Sequence, residues 1–314
     1  MKPQILAALL PLLPLIHQES FAQTYPSTLT LTSAMGAPVE MILVEAGSFY
    51  MGSQSSDPSA PNYNTYRPSY NEDEGPVHQV SLSAFYICKY EVTNEVWADV
   101  MGGDVDDDTR DYAHGGVSYY DALSFVNAAV YSYNNIPANS SIALPTEEQW
   151  EYAARGGSRS DSYVFAGSNT ANNVAVWGGT TTTPTKVGTK EPNAIGLYDM
   201  SGNAREWTQT DYYNYSDGSI ISTYYTTKVQ RGGDTGSRSA NLVTVSNRAY
   251  SKVDYAAPEF GLRFVINLPE KSTSITEAKT ETTPHPTLVI RGGKILVLQP
   301  DGKCVDMAGR QCRP

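Results

Sequence analysis

The stretch Gly196-Leu197-Tyr198-Asp199-Met200-Ser201-Gly202-Asn203-Ala204-Arg205-Glu206-Trp207 gathers acidic, amide and aromatic side chains into one short run, with glycines where the chain must bend. It reads as a structured loop around a hard cation. Asp199 and Glu206 offer carboxylates, Gly202 and Ala204 offer main-chain carbonyls, and Ca2+ accepts such an all-oxygen shell. The same residues allow a second reading, a metal-free loop pinned by hydrogen bonds of the Asn203 side chain.

Working outward, the chain of 314 residues is long enough to bury a sizeable core as one large or two small domains. Its net charge of -11 argues against nucleic-acid or anionic-membrane partners, which recruit Lys and Arg. The acid run from Asp104 to Asp108 reads as a solvated loop. With 22 Tyr against 7 Phe, the aromatic balance suits an exposed recognition face, the alternative being a Tyr-rich core with wet edges.

Lys2, an apolar run from Ile5 to Ile16 and Ser20-Phe21-Ala22 predict a signal peptide over residues 1–22, too short and too proline-broken for a membrane span. The expected destination is the periplasm, cell surface or extracellular space. Of three cysteines, Cys88 lies in an apolar strand and reads as a small core residue, while Cys304 and Cys312 are spaced to close a small loop. Four histidines in the whole chain do not support a zinc site.

Val39 to Gly52 reads as two strands joined at Ala46-Gly47, Val80 to Val92 as further strands, and Ser53 to Pro76 between them as a long surface loop. Thr93 is placed to cap a helix over 94–101, a second helix starts near Ser118, and a third follows Thr146, with Gln149 completing a capping box and Gly156 as the stop. Downstream, the segments around Arg231 and from Phe260 to Val265 read as isolated strands. The pattern is α+β and loop-rich, with short strands and a few helices. Composition shifts to Pro, Glu, Lys, Ser and Thr over residues 269–287, a linker before a small β segment at 288–314 with two strands turning at Gly292-Gly293 and Asp301-Gly302.

Five stretches taken in order resemble the formylglycine-generating enzyme (sulfatase-modifying factor) family across residues 38–268. They are Met41 to Gly52, Asp73 to Asn94, Leu144 to Gly157, Gly196 to Trp207, and Arg231-Gly232-Gly233 with Phe260-Gly261-Leu262-Arg263. The resemblance implies a C-type-lectin-like fold stabilised by calcium. It places Asp199, Gly202, Ala204 and Glu206 in one calcium site, and Asn173 and Val174 in a second that lacks an acid in the Thr- and Gly-rich run following it.

The oxidases of that family hold Cu(I) by two thiolates, whose positions correspond here to Ser237 and Leu242. A hydroxyl and an isobutyl group cannot replace sulfur on a soft ion, so copper and formylglycine synthesis are not expected. One reading is then an exported binding or scaffold module for a peptide, glycan or envelope protein, with Ser237, Arg238, Asn241 and Arg248 as groove contacts. Tyr212, Tyr213 and Tyr215 join them unless they serve loop packing. The alternative is an oxidoreductase of the same family using another metal or residue set. The tail, ending in Ala308-Gly309-Arg310-Gln311, is similar to sorting segments of exported Bacteroidetes proteins, which implies a Gram-negative envelope setting.

Overall fold

Phe85–Cys88 alternates its side chains between two packed faces and buries all four, which puts this strand at the centre of the fold. The computed structural model describes residues 24–33, 36–67, 73–160, 162–179, 182–221 and 226–269, and the backbone of 287–291, 294–298 and 304–306. These residues fall into two units, divided between residues 270 and 271.

The first unit begins with strands β1 (Thr28–Ser33), β2 (Val39–Val44), β3 (Gly47–Met51), β4 (His78–Leu82) and β5 (Phe85–Cys88). Helices α1 (Asn94–Met101) and α2 (Tyr119–Ser132) follow, then β6 (Tyr133–Asn134), β7 (Ser141–Ala143), α3 (Glu147–Ala154) and the single turn α4 (Ala171–Val174). Strands β8 (Arg205–Asp211), β9 (Thr227–Arg231), β10 (Ala249–Lys252), β11 (Phe260–Gly261) and β12 (Val265–Asn267) complete it.

The central sheet runs β6-β1-β2-β5-β12-β7, antiparallel throughout. The two-residue period of a strand sorts its faces. Met41, Tyr86, Cys88, Phe264 and Ile266 pack with Ala122, Phe125, Val126 and Ala129 of α2. Val44, Phe85, Ile87 and Val265 pack on the other side with Trp150, Ala153 and Ala154 of α3. A second sheet, β10-β9-β8-β11, carries the fully buried Trp207 into the first of these clusters.

The helices start where their caps place them. Thr93 accepts from the Val96 N–H, and Ser118 and Thr146 form reciprocal capping boxes with Asp121 and Gln149. Gly156, at φ +93°, turns the chain out of α3 in a conformation that a Cβ would penalise.

Three local readings need correction. β2 and β3 do not pair with each other: β2 has β1 on one edge and β5 on the other, so β3 pairs with β4 instead. β1 belongs to the sheet and precedes the expected domain start at residue 38. The strands near residues 231 and 260 are not isolated, because β8 begins inside the quoted loop, at Arg205, and pairs with both β9 and β11.

The second unit is an antiparallel three-stranded meander of β13 (Thr287–Arg291), β14 (Lys294–Leu298) and β15 (Cys304–Asp306), one strand more than the sequence suggested. The signal segment at 1–22, most of the linker, both turns of the meander, Cys312 and the terminal Ala308-Gly309-Arg310-Gln311 lie outside the described residues. Among the described residues, no helix is long and apolar enough to cross a membrane.

Candidate functional site

The quoted loop is organised by side chains buried beneath it. Asp199 and Asn203 adopt left-handed backbone (φ +57° and +61°), a region that short polar side chains tolerate. Gly202, at φ +82°, lies so close to Val176 that a Cβ would stand 2.3 Å from its carbonyl oxygen. The Asn203 side chain then ties three segments together: its Oδ1 accepts from the Thr185 N–H at 2.8 Å and its Nδ2 donates to Glu91. Glu91 also accepts from the Ala204 N–H at 2.8 Å, and Asp199 Oδ2 from the Gly188 N–H at 2.7 Å.

Glu206 does not face a cation position. Its carboxylate accepts Arg263 Nε at 2.9 Å to both oxygens, Arg263 Nη2 at 2.8 Å and Trp150 Nε1 at 2.6 Å, with both charged residues wholly buried. Arg263 spends its remaining donors on the carbonyls of Cys88 and Tyr198. The four oxygens proposed for calcium therefore do not fit as one shell, since the strongest donor is saturated by N–H groups. Asp199 Oδ1 is the one buried carboxylate oxygen of this loop without a partner among the described residues. Asn173 is exposed while Val174 is buried in a separate small cluster. No group of three or more His, Cys, Asp or Glu side chains among the described residues is arranged to hold a metal.

Three acids share this interior with a single arginine. Burial first, then the charges of Asp199 and Glu206, hold the Glu91 carboxyl well above its usual range. Burial likewise raises Asp199.

A second buried network hangs from α3. Glu147, Glu151 and Arg155 recur every four residues and so share one helix face. Arg155 donates to Glu151 Oε1 and to the Gly52 carbonyl; Arg231 bridges Glu151 and Glu147; Arg248 grips both Glu147 oxygens at 2.7 and 2.9 Å. Arg248 also donates to the carbonyls of Asp73 and Tyr213 and lies against the rings of Tyr212, Tyr213 and Tyr215. It is 5% exposed and is an internal strut rather than a groove contact. The three tyrosines correspondingly follow the packing reading.

Ser237 is buried too, with its Oγ accepting from the Asp234 N–H at 3.1 Å. Arg238 and Leu242 are exposed and Asn241 is half-buried, so only part of the expected groove set reaches solvent. A cleft of about 830 Å³ lies elsewhere, between β3, the loop after it, the turn following α3, and residues 162–164. Tyr50, Tyr66 and Tyr163 line it as residues 49, 41 and 38% exposed, interleaved with Ser and Asn side chains. The high tyrosine count and the Ser-, Asn- and Tyr-rich composition of 53–67 were the signals for this wall, but a composition does not say which face a loop turns inward.

The profile of the sulfatase-modifying factor enzyme 1-like domain matches residues 28–268. The chain belongs to this family. Among related sequences, the chaperone protein LppX of Paenibacillus barcinonensis is 29% identical over 273 residues, covering 72% of this chain and 89% of that protein. The inactive C-alpha-formylglycine-generating enzyme 2 of Bos taurus is 28% identical over 286 residues, covering 73% and 88%. Among solved structures, Treponema denticola variable protein 1 superposes with a TM-score of 0.62 at 24% identity, over 78% of this chain and all of that one, which establishes the shared fold alone.

Within the sulfatase-modifying factor domain, the α+β fold is as expected, and the match begins at β1. Ser237 and Leu242, which the resemblance sets at the thiolate positions, are a buried serine and an exposed leucine. Cys88 cannot stand in for them: it is buried in β5 with its Sγ 3.5 Å from Met41 Sδ, and burial pushes its thiol up to about 12.

Proposed function

We propose that this chain is an exported sulfatase-modifying-factor domain that has lost the copper-thiolate site and works as a binding or scaffold module. The carrying observation is the 233–242 segment, where the Ser237 hydroxyl is turned inward onto the Asp234 N–H and Leu242 offers only an aliphatic chain to solvent. Neither group stabilises Cu(I). One relative is named an inactive formylglycine-generating enzyme and another a chaperone, and both names support the same reading. Export rests on the basic, apolar and small-residue succession of residues 1–22. Calcium enters this reading only through Asp199 Oδ1 and neighbouring carbonyls, because Glu206 is committed to Arg263.

The test is aerobic incubation of the full chain, supplied with Cu(I), with a peptide carrying a sulfatase motif. The expected result is an intact peptide thiol. Conversion of that thiol to a hydrazide-reactive aldehyde sinks the module reading.

A further inference from the structure

The cleft beside β3 has a lining that selects a ligand by chemistry. Of the described residues that line it, Arg155 alone carries a formal charge, and its side chain is 6% exposed and already bonded to Glu151 and the Gly52 carbonyl. Among the described lining residues, a phosphate or carboxylate would find no free cation, and an amine no free anion. The wall is broken by Ser and Asn side chains at short intervals, so it offers no continuous apolar strip to a lipid chain.

An extended peptide is also poorly served. At the Tyr50–Gly52 end of β3, the outward main-chain groups are taken: Asn62 Nδ2 donates to the Tyr50 and Gly52 carbonyls, and the Gly52 N–H donates to Glu151. Strand addition has no ladder to join at that end.

What remains is a set of exposed tyrosine faces alternating with hydroxyl and amide groups, in a volume typical of small-ligand sites. We infer that this cleft binds a neutral oligosaccharide, with sugar C–H faces laid on Tyr50, Tyr66 and Tyr163 and ring hydroxyls exchanging hydrogen bonds with Ser and Asn side chains. The wall is set before the ligand arrives. Gln54 Oε1 accepts from the N–H groups of Ser56 and Asp57, Gln54 pairs through its backbone with Asn62 and Asn64, and Tyr66 is held edge-on by Phe165 at 5.2 Å. A preset wall reduces the ordering cost of binding. The assignment rests on the module reading and names its ligand.

The experiment is calorimetric titration of the full chain with maltohexaose, cellohexaose, mannohexaose and chitohexaose, with hexagalacturonate and a neutral dodecapeptide as comparators. One neutral hexasaccharide is expected to saturate the chain at one per molecule, with affinity changing less than about twofold between ~50 and ~500 mM NaCl. Tyr50→Ala and Tyr163→Ala, at exposed positions, should each weaken binding about tenfold or more while the melting temperature holds. No binding by any neutral sugar, preference for the polyuronate or peptide, or indifference to both tyrosine variants overturns the assignment. Such a failure with the sulfatase-motif peptide left intact removes the cleft ligand and keeps the module; oxidation of that peptide removes the module whatever the sugars do.

Discussion

Arg263 lies against both carboxylate oxygens of Glu206, at 2.8 to 2.9 Å, and Trp150 adds a third donor from α3. The pair joins β8 to the approach to β12 with no water-exposed atom on either side chain. Removing one member leaves an unpaired buried charge, which costs about 3–5 kcal/mol. Glu206→Gln and Arg263→Leu should each lose roughly that much stability by urea denaturation, and the double variant should lose less than their sum. Single losses below about 1 kcal/mol would show the pair to be dispensable.

Because Glu206 is satisfied by protein donors, the Gly196–Trp207 loop is expected to hold without calcium. Melting temperatures in excess Ca2+ and in EGTA should agree within about 2 °C, since only a ligand bound preferentially to the folded state raises them. A drop of ten degrees or more in chelator would mean that an ion holds the loop, at Asp199 Oδ1 or in the place of Arg263.

The acid cluster should give an unusual pH dependence. Glu91 is raised above its ordinary value of 4.5 by burial and then by Asp199 and Glu206. The folded state therefore holds more protons than the unfolded chain from about pH 4.5 up to the folded value, and stability declines as pH rises through that window. Asp199→Asn removes one of the repelling charges and should flatten the decline, read from urea unfolding at several pH values between ~4.5 and ~8. An unchanged slope would place its origin outside this cluster.

His114 points the opposite way. It stacks on Trp97, with ring centroids 4.3 Å apart, and its Nδ1 sits 2.7 Å from Asn94 Oδ1; burial lowers its value from 6.5 to about 4. The unfolded chain takes up this proton first, so stability falls as pH drops below 6.5 and the penalty is complete below about 4. Imidazole NMR resonances should titrate with a midpoint near 4. A midpoint near 6.5 would mean that the stack opens in solution.

Much of the scaffold was legible because local chemistry encodes it. Thr93, Ser118 and Thr146 announce helix starts through their own hydrogen bonds, and the two-faced burial of β5 follows from its unbroken apolar run. Pairing was not legible in the same way, since β5 takes as its second neighbour a strand about 180 positions further along the chain, as the pairing of Ile87 with Val265 shows. The site misled for a related reason. Glu206 and Arg248 have residue types that suit ligands, but their partners, Arg263 and Glu147, sit 57 and 101 positions away. The alternative of a loop pinned by Asn203 was closer to the geometry, because its amide reaches Thr185 and Glu91 directly.

The place of β12 sets an order of events during synthesis. β5 needs β2 on one side and β12 on the other, and β12 is made about 180 residues later, at the end of the domain. Until Val265–Asn267 leaves the ribosome, β7 has no partner in the sheet and the central strand keeps an open edge. A nascent chain stalled or cut before residue 265 therefore presents a sticky half-sheet, and the first unit closes its central sheet only with its last strand.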